Sequence, residues 1–288
     1  MRPADTARLV ALAAIWGASF LFTRITAPAL GPVLTAEART LIAGIALAIY
    51  FGVTGYNAEW RRWGRQYFIV GILTSALPFL LWAYAALTLT AGLMSVLNAT
   101  SPMWGAVCSA VLLRERLNRR RILGLLVGMI GVALVTRPEA GTAVPYGAML
   151  AALGAAFCYG LAGAYMKRWA RDVPSRGMAV GTQLVAGILL IPFIALAPPD
   201  SAPSMPIVAS MLALGLVCGA VAYLLYFRLV TDIGPTGALT VTYLIPVFGT
   251  LWGVLFLGER LGLHHVLGAA MIIGGIALVA RARSGAMQ

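Results

Sequence analysis

The chain has 288 residues, of which 61% are hydrophobic and 10% charged, and its mean hydropathy is +0.90. An apolar share this far above the usual value of about 45–50% excludes an ordinary water-soluble domain. The formal net charge of +12 does not indicate a nucleic-acid partner, because the basic residues stand in short connections between apolar runs, where they act as topology signals.

Ten apolar runs follow one another along the chain, and a helical membrane span needs about 20 residues. The runs do not alternate apolar and polar residues, as the strands of a membrane barrel would. We therefore predict an all-α integral membrane protein with ten transmembrane helices. The predicted spans are 8–27, 33–54, 67–87, 92–113, 121–136, 146–167, 175–197, 206–229, 236–257 and 263–281.

The distribution of basic residues predicts the orientation of these spans. With the N-terminus in the cytoplasm, 17 Lys and Arg residues fall on the cytoplasmic side and 4 on the other, namely Arg24, Arg39, Arg137 and Arg260. Cytoplasmic connections carry the excess of basic residues. We therefore predict a multi-pass protein of the cell inner (plasma) membrane with both termini in the cytoplasm.

The second half of the chain repeats the first. Residues 102–137 recur 144 positions later, without a gap, as residues 246–281. We predict two structural repeats, 1–140 and 141–288, with five spans each. Because five is an odd number, the two repeats enter the membrane in opposite directions, an arrangement typical of transporters.

Several motifs of the first repeat are distinctive: Trp16-Gly17-Ala18-Ser19-Phe20, Arg39, a proline in the fourth span, Leu113-Arg114-Glu115-Arg116-Leu117, Gly124 and Gly131-Val132-Ala133-Leu134. Together they resemble the EamA-type repeat of the drug/metabolite transporter superfamily. The resemblance covers the whole chain. It implies a ten-helix transporter similar to bacterial exporters of amino acids, other metabolites and drugs.

The second half departs from this pattern at its start. Tyr159-Gly160 stands where the first half has Trp16-Gly17, and Gln183 stands where the first half has Arg39. Trp16 and Tyr159 are candidates for contact with the solute, although packing between helices is an equally good interpretation. Arg39 is a candidate for gating or for an ion pair, and any such role has no counterpart in the second repeat.

Aromatic residues occupy matching positions in the third and eighth spans. Phe79 and Trp82 correspond, 144 positions later, to Tyr223 and Tyr226. The spacing i, i+3 puts both rings of each pair on one face of a helix. Faces near the axis of an inverted repeat surround a central cavity, so we predict an aromatic lining for the solute. The alternative is that these rings face lipid or pack between helices.

Polar residues of the fourth and ninth spans are spaced to share one helix face. An amide is costly in hydrocarbon unless it has a partner, so we predict that Asn98 faces water and solute rather than a neighbouring helix. The two faces consist of Met94, Asn98 and Ser101 in the fourth span and Thr236, Thr240 and Tyr243 in the ninth.

Prolines interrupt three of these spans, at Pro78, Pro102 and Pro246. A proline removes a backbone hydrogen bond and bends the helix. A static kink is one interpretation. Because Pro102 and Pro246 are equivalent positions beside the polar faces, we predict that the three prolines act as hinges in alternating access.

Charged residues are sparse in the spans. Glu37 and Arg39 lie about 200° apart around their helix and cannot pair with each other. Arg24, near the outer mouth, is expected to form an ion pair with Glu37, with solute gating as the alternative. Glu115 and Glu259 lie beside arginines at span ends and are expected to form interfacial salt bridges.

The first span contains no acid, and no Arg or Lys is expected near the midplane, which disfavours dications and phosphorylated solutes. We therefore predict export of small amphipathic metabolites, above all aromatic and other hydrophobic amino acids, by alternating access. Without a relay of acids and histidines, ion coupling is expected to be weak or absent. A proton-coupled multidrug exporter is the alternative.

An integral-membrane enzyme acting on lipids is a function of another class, and it would need a convergent catalytic set. Two adjacent histidines and no acid cluster do not provide one, so we predict no enzyme. The three cysteines lack metal-ligand spacing, and we expect no metal or cofactor. The expected partners are a small solute and the bilayer, and a homodimer is left open.

Overall fold

The structure is a computed structural model that describes residues 2–115, 117–136, 145–199, 202–238, 240–260 and 262–284, with only the backbone at 235–236 and 280–284. The repeat positions Arg116, Arg137 and Leu261 and the side chain of Thr236 lie outside the described residues.

The described residues form helices and no strand, which confirms the all-α prediction. The helices are α1 Pro3–Val53, α2 Trp60–Gly71, α3 Leu77–Ala85, α4 Ala91–Asn98, α5 Ser101–Leu112, α6 Arg119–Val135, α7 Tyr146–Trp169, α8 Ser175–Ile194, α9 Met205–Leu212, α10 Ala222–Ala238, α11 Val241–Leu257 and α12 Leu263–Ser284.

Two π-helical segments join some of these helices into longer stretches. The first π segment, Ile72–Ala76, connects α2 to α3, and the second, Ala213–Val221, connects α9 to α10. Among the described residues, five stretches are long and apolar enough to cross a membrane: Pro3–Val53, Trp60–Ala85, Tyr146–Trp169, Ser175–Ile194 and Met205–Gly234. Val241–Leu257 and Leu263–Val279 are shorter apolar helices.

The first, second and fourth predicted spans differ from the observed helices. The first two lie in the single element α1, whose backbone leaves the helical region at Gly31, where φ is 77° and ψ is 159°. The fourth is divided into α4 and α5 by a turn at Ala99 and Thr100. The ten separate helices of the prediction are therefore not all distinct elements.

Helices α6 and α12 pack through glycines. A Cβ atom on Gly124 would lie 2.6 Å from the carbonyl oxygen of Gly275, and one on Gly131 would lie 2.8 Å from that of Gly268. An early glycine of each helix thus meets a late glycine of the other. The two helices run antiparallel, with their backbones as close as small residues permit.

Two further glycine contacts bring α1 against α11 and α7 against α5. A Cβ atom on Gly17 would lie 2.8 Å from the backbone nitrogen of Gly249, and one on Gly160 would lie 2.6 Å from that of Gly105. These close approaches hold α1 and α7 against the aromatic core described below.

Candidate functional site

Four of the predicted aromatic residues belong to one core cluster at the junction of α1, α3, α4, α7 and α8. Phe79 and Trp82 are 8% and 2% exposed, and Trp16 and Tyr159 pack against them. The Trp82 ring lies edge-on to Phe20, with 5.2 Å between ring centroids. The face of α3 that carries Phe79 and Trp82 therefore points into the protein and not to lipid.

Tyr226 joins this cluster through Trp16. The two ring centroids are 5.5 Å apart, and the Tyr226 side chain is half-buried against Leu9, Leu12 and neighbouring apolar residues. Trp16 therefore packs against both the cluster of Phe79 and Trp82 and the Tyr226 ring, whereas Tyr223 packs on a separate core with Leu47 and Phe51.

A buried arginine lies at the same place. Arg39 of α1 is 9% exposed, and its guanidinium carbon lies 3.7 Å from the centroid of the Phe79 ring. The side chains of Tyr159, Cys218 and Tyr223 lie near it. The expectation that no Arg or Lys lies near the predicted aromatic residues is wrong, because the face of α1 that carries Arg39 turns toward α3. The aromatic lining itself stays a prediction.

Gln183 occupies the corresponding position in the second half. Its side-chain nitrogen donates to Oγ of Ser75 at 3.0 Å and to the hydroxyl oxygen of Tyr223 at 3.1 Å. The pair Gln183 and Tyr223 lies 144 positions after Arg39 and Phe79. Both halves thus hold a polar side chain against the same aromatic position, but only the first half carries a charge there.

Ser75 and Gln183 were not predicted as site residues. The offset of 144 residues could have identified Gln183, because it aligns Gln183 with Arg39 and Tyr223 with Phe79. Ser75 has no such signal in the sequence, since only the packing of α8 on the first π segment brings it within hydrogen-bonding distance.

A π-helical segment precedes each aromatic pair, and neither segment was predicted. Pro78 lies just after the first segment and has no N–H to donate. Its counterpart 144 positions later is Ala222, just after the second segment, so a proline is not required to form a π segment. In the second segment, a Cβ atom on Gly219 would lie 2.6 Å from Cβ of Ala43. Such π segments are often found at functional sites, where they change how a helix presents its side chains.

The predicted ion pair between Arg24 and Glu37 is wrong. Arg24 donates to the carbonyl oxygens of Ala86 and Leu87, at 2.7 Å and 3.4 Å, just after α3 ends. These carbonyls lack helical partners and attract a cation. Glu37 is 5% exposed, and within the described part of the chain its carboxylate has neither an ion pair nor a hydrogen bond.

The predicted polar face of the fourth span is interrupted, because Met94 and Asn98 belong to α4 and Ser101 begins α5. Met94 is buried in the aromatic core. Asn98 is half-buried, and its side chain bonds no other helix among the described residues. The Ser101 hydroxyl donates to the backbone oxygen of Asn98 at 2.6 Å.

The remaining predicted residues lie apart from the aromatic cluster or have a structural place in their helices. Tyr243 packs on a separate core with Val96 and Met103. Pro102 lies in the first turn of α5, just after the turn that divides the fourth span, whereas Pro246 lies inside α11. The equivalent prolines thus have different surroundings, and their role as hinges stays a prediction.

The two glutamates at span ends have different partners. Glu115 forms the expected salt bridges, with Lys167 and, at 3.6 Å, with Arg121. Glu259 instead accepts hydrogen bonds from the backbone N–H groups of Ala91 at 2.6 Å and Gly92 at 3.1 Å. The expected salt bridge of Glu259 is replaced by a carboxylate at the N-terminus of α4, where the helix dipole favours negative charge.

Two cavities lie away from the aromatic cluster. One of about 680 Å³ is lined by Arg2, Asp5, Thr231, Asp232 and Ile233. Another of about 210 Å³ is lined by Tyr84, Leu87, Thr88, Pro145, Gly147 and Ala148. In this structure the aromatic cluster is packed, and neither cavity includes any of the predicted solute-binding residues.

Comparison with known proteins identifies the fold and the family. The model of the EamA-like transporter family matches residues 7–137 and 146–281. The chain is 28% identical over 278 residues to the uncharacterized transporter YvbV of Bacillus subtilis, covering 95% of this chain and 91% of that protein.

Two further relatives also match most of the chain. Protein PecM of Dickeya dadantii is 25% identical over 272 residues, covering 92% of this chain and 88% of that protein. The uncharacterized inner membrane transporter YedA of Escherichia coli K12 is 24% identical over 277 residues, covering 94% and 89%.

A solved protein structure superimposes on the whole chain with a TM-score of 0.68 at 20% sequence identity, covering 100% of both chains, and so shares the fold. The family match extends over both halves of the chain. The chain therefore belongs to the EamA-like transporter family, within the drug/metabolite transporter superfamily, and is an integral multi-pass membrane transporter.

Proposed function

We propose that the chain forms ten transmembrane spans arranged as two inverted repeats of five. The glycine contacts support this arrangement. Gly17 contacts Gly249, and Gly160 contacts Gly105. Gly160 is the counterpart of Gly17, 143 positions later, and Gly105 is the counterpart of Gly249, 144 positions earlier. Exchanging the two halves turns one contact into the other, which is the relation that a pseudo-two-fold axis produces.

The long-range polar contacts also agree with ten spans. Arg8 pairs with Asp232 at 2.8 Å, and Glu115 pairs with Lys167. The ten-span layout puts all four residues on the cytoplasmic side, provided that the chain reverses direction at Gly31. At about 1.5 Å per residue, α1 is roughly twice as long as a bilayer core is thick, which leaves room for two crossings.

The transporter, on this proposal, exports small amphipathic metabolites across the inner membrane by alternating access, with aromatic and other hydrophobic amino acids as the first choice. The observation that best supports this proposal is the buried cluster of Trp16, Phe79 and Trp82 with Tyr226 beside it. Aromatic rings of this kind bind apolar or aromatic bodies by stacking. The cluster combines residues of both halves of the chain, and solutes of inverted-repeat transporters bind at the interface between repeats.

Trp82→Ala and Tyr226→Ala test this assignment. Each variant removes one ring from the cluster, and we expect the half-saturation concentration for phenylalanine to rise about 3- to 10-fold in proteoliposomes. Trp169→Ala is the matched control, since this tryptophan is 50% exposed at the end of α7. Unchanged transport by both cluster variants would assign their rings to packing alone.

Glu37 favours a second candidate, a proton-coupled multidrug exporter. A carboxylate that is 5% exposed and has no ion pair in the described part of the chain is expensive to keep charged. Such a group is suited to carrying a proton across the membrane.

Glu37→Gln separates the two candidates. We expect weak or no ion coupling, so phenylalanine flux should follow the solute gradient, without a pH gradient, in both wild type and variant. Glu59→Gln, at a 44% exposed side chain, is the control. A strict need for a pH gradient that Glu37→Gln abolishes would favour proton exchange.

A further inference from the structure

Arg39 is a buried charged group that has no counter-ion in the described part of this membrane protein. Its side chain forms neither a salt bridge nor a hydrogen bond among the described residues, and it is 9% exposed. Ionisable groups at such positions are costly and normally have a functional partner. The ring of Phe79 offsets only part of this cost, because a cation–π contact contributes about 2 kcal/mol when desolvated.

The hydrogen-bonding groups of the guanidinium have no partner among the described residues. The guanidinium carbon lies over the Phe79 ring, 3.7 Å from its centroid. The N–H donors of a guanidinium point outward in its plane, in a fork that matches the two oxygens of a carboxylate. A carboxylate can therefore bind Arg39 while the cation–π contact is kept.

Trp82 gives an independent indication of a missing acceptor. Its side chain is 2% exposed, and its indole N–H makes no hydrogen bond of normal geometry, although the Tyr159 hydroxyl lies close to it. It lies one helical turn after Phe79, on the same face of α3. A buried donor without an acceptor is rare in folded proteins, and an anionic group bound by Arg39 would supply one.

The second half has no charge at the corresponding position. Gln183, the counterpart of Arg39, is 1% exposed and already bonds Ser75 and Tyr223. Its amide therefore has its donors occupied. The first half thus offers a cation whose donors have no partner among the described residues, whereas the second half offers a neutral amide whose donors are in use.

We propose that Arg39 and the indole N–H of Trp82 bind the carboxylate of the transported solute, so that the transporter selects amphipathic carboxylates over amines and cationic dyes. This inference rests on the proposed transport of amphipathic solutes and names the head group. The carboxylate lies beside Arg39, and the apolar body lies against Trp16, Phe20 and Tyr226.

Competition in proteoliposomes containing the full chain tests the proposal. Unlabelled 3-phenylpropionate should inhibit the counterflow of radiolabelled phenylalanine, whereas phenylalaninamide and phenethylamine, which lack the carboxylate, should inhibit at least about 10-fold less well. Equal inhibition by all three compounds in the wild type would overturn the proposal without any variant.

Arg39→Gln installs the residue that the second half already has at this position. We expect the half-saturation concentration for phenylalanine to rise about 10- to 100-fold, and the preference for carboxylates to disappear. Arg39→Lys should restore part of the preference. Arg62→Gln is the matched control, because this guanidinium also lies over a ring, Trp63, but its side chain is 67% exposed. A preference retained by Arg39→Gln would overturn the proposal.

Trp82→Phe keeps an aromatic ring and removes the indole N–H, so it tests whether this N–H binds the carboxylate. This variant keeps the proposal testable if Arg39→Gln does not fold. We expect a rise of about 3- to 10-fold in the half-saturation concentration for carboxylates, and no change would remove Trp82 from the site.

If no aromatic amino acid moves, the proposed function fails. The carboxylate site is then tested by thermal unfolding with 3-phenylpropionate, which should stabilise the wild type and not Arg39→Gln. Equal stabilisation, or none in either protein, would overturn the site as well.

Discussion

At the scale of single residues, the packing of this transporter depends on glycines that meet the backbone of another helix. A Cβ atom on Gly160 would lie 2.6 Å from the Gly105 nitrogen and equally close to the Trp104 carbonyl carbon. Backbone atoms cannot rotate away as a side chain can. Gly163, on the same helix, has nothing within 4 Å of the corresponding point. Two glycines less than one turn apart therefore differ in what they contribute.

Gly160→Ala should lower the free energy of unfolding by about 1–3 kcal/mol, because the added methyl group forces α5 and α7 apart. Gly163→Ala should leave it unchanged or raise it by up to about 1 kcal/mol, since alanine favours a helix over glycine. Thermal unfolding in detergent compares the two variants. Equal stabilities would contradict the close approach of α5 and α7.

At the scale of helices, the start of α4 is held by a residue that follows α11. The Glu259 carboxylate accepts hydrogen bonds from the Ala91 and Gly92 amides, and Thr90 accepts one from Leu93 at 3.1 Å. Three N–H groups of the first turn, which have no partners within their own helix, are satisfied in this way. The contact fixes α4 against α11 close to the aromatic core.

Glu259→Gln should weaken this attachment, because an uncharged amide makes weaker hydrogen bonds to the helix N-terminus. We expect a loss of about 1–2 kcal/mol in stability and faster hydrogen exchange at the Ala91 and Gly92 amides. Glu59→Gln serves as the control at an exposed side chain. Unchanged hydrogen exchange at both amides would show that Thr90 alone is sufficient to cap the start of α4.

At the scale of the whole molecule, the surplus of Lys and Arg on one side predicts the orientation in the bilayer, with 17 such residues on the cytoplasmic face and 4 on the other. The salt bridges Arg8–Asp232 and Glu115–Lys167 lie on the cytoplasmic face in this orientation. Orientation is thus a property of the distributed charge and not of any single contact.

Single cysteines test this orientation in a background without Cys108, Cys158 and Cys218. A cysteine at Tyr146, 70% exposed at the start of α7, should react with an impermeant thiol reagent only from outside the cell. A cysteine at Arg171, in the turn after α7, should react only from the cytoplasmic side. Labelling of both positions from the same side would contradict the proposed course of α7.

Part of the site could be predicted from the sequence, because the duplication aligns aromatic residues that the structure buries or half-buries inside the protein. The offset of 144 residues selected Phe79, Trp82, Tyr223 and Tyr226 without any structure. The same offset could not show that Arg24 prefers the carbonyl of Ala86 to the carboxylate of Glu37. That choice depends on where α3 ends relative to α1, which neither segment encodes by itself.

The sequence by itself determined the membrane class, the helical secondary structure and the duplication, since these follow from local composition and from comparing the chain with itself. Only the tertiary structure decided that Arg39 lies over Phe79, that Gln183 bonds Tyr223 and that the Trp82 N–H makes no hydrogen bond of normal geometry. The physical reason is that the rotation of each helix about its axis is set by packing against its neighbours. Within apolar segments, nearly every face is compatible with burial, so hydrophobicity alone leaves that rotation undetermined.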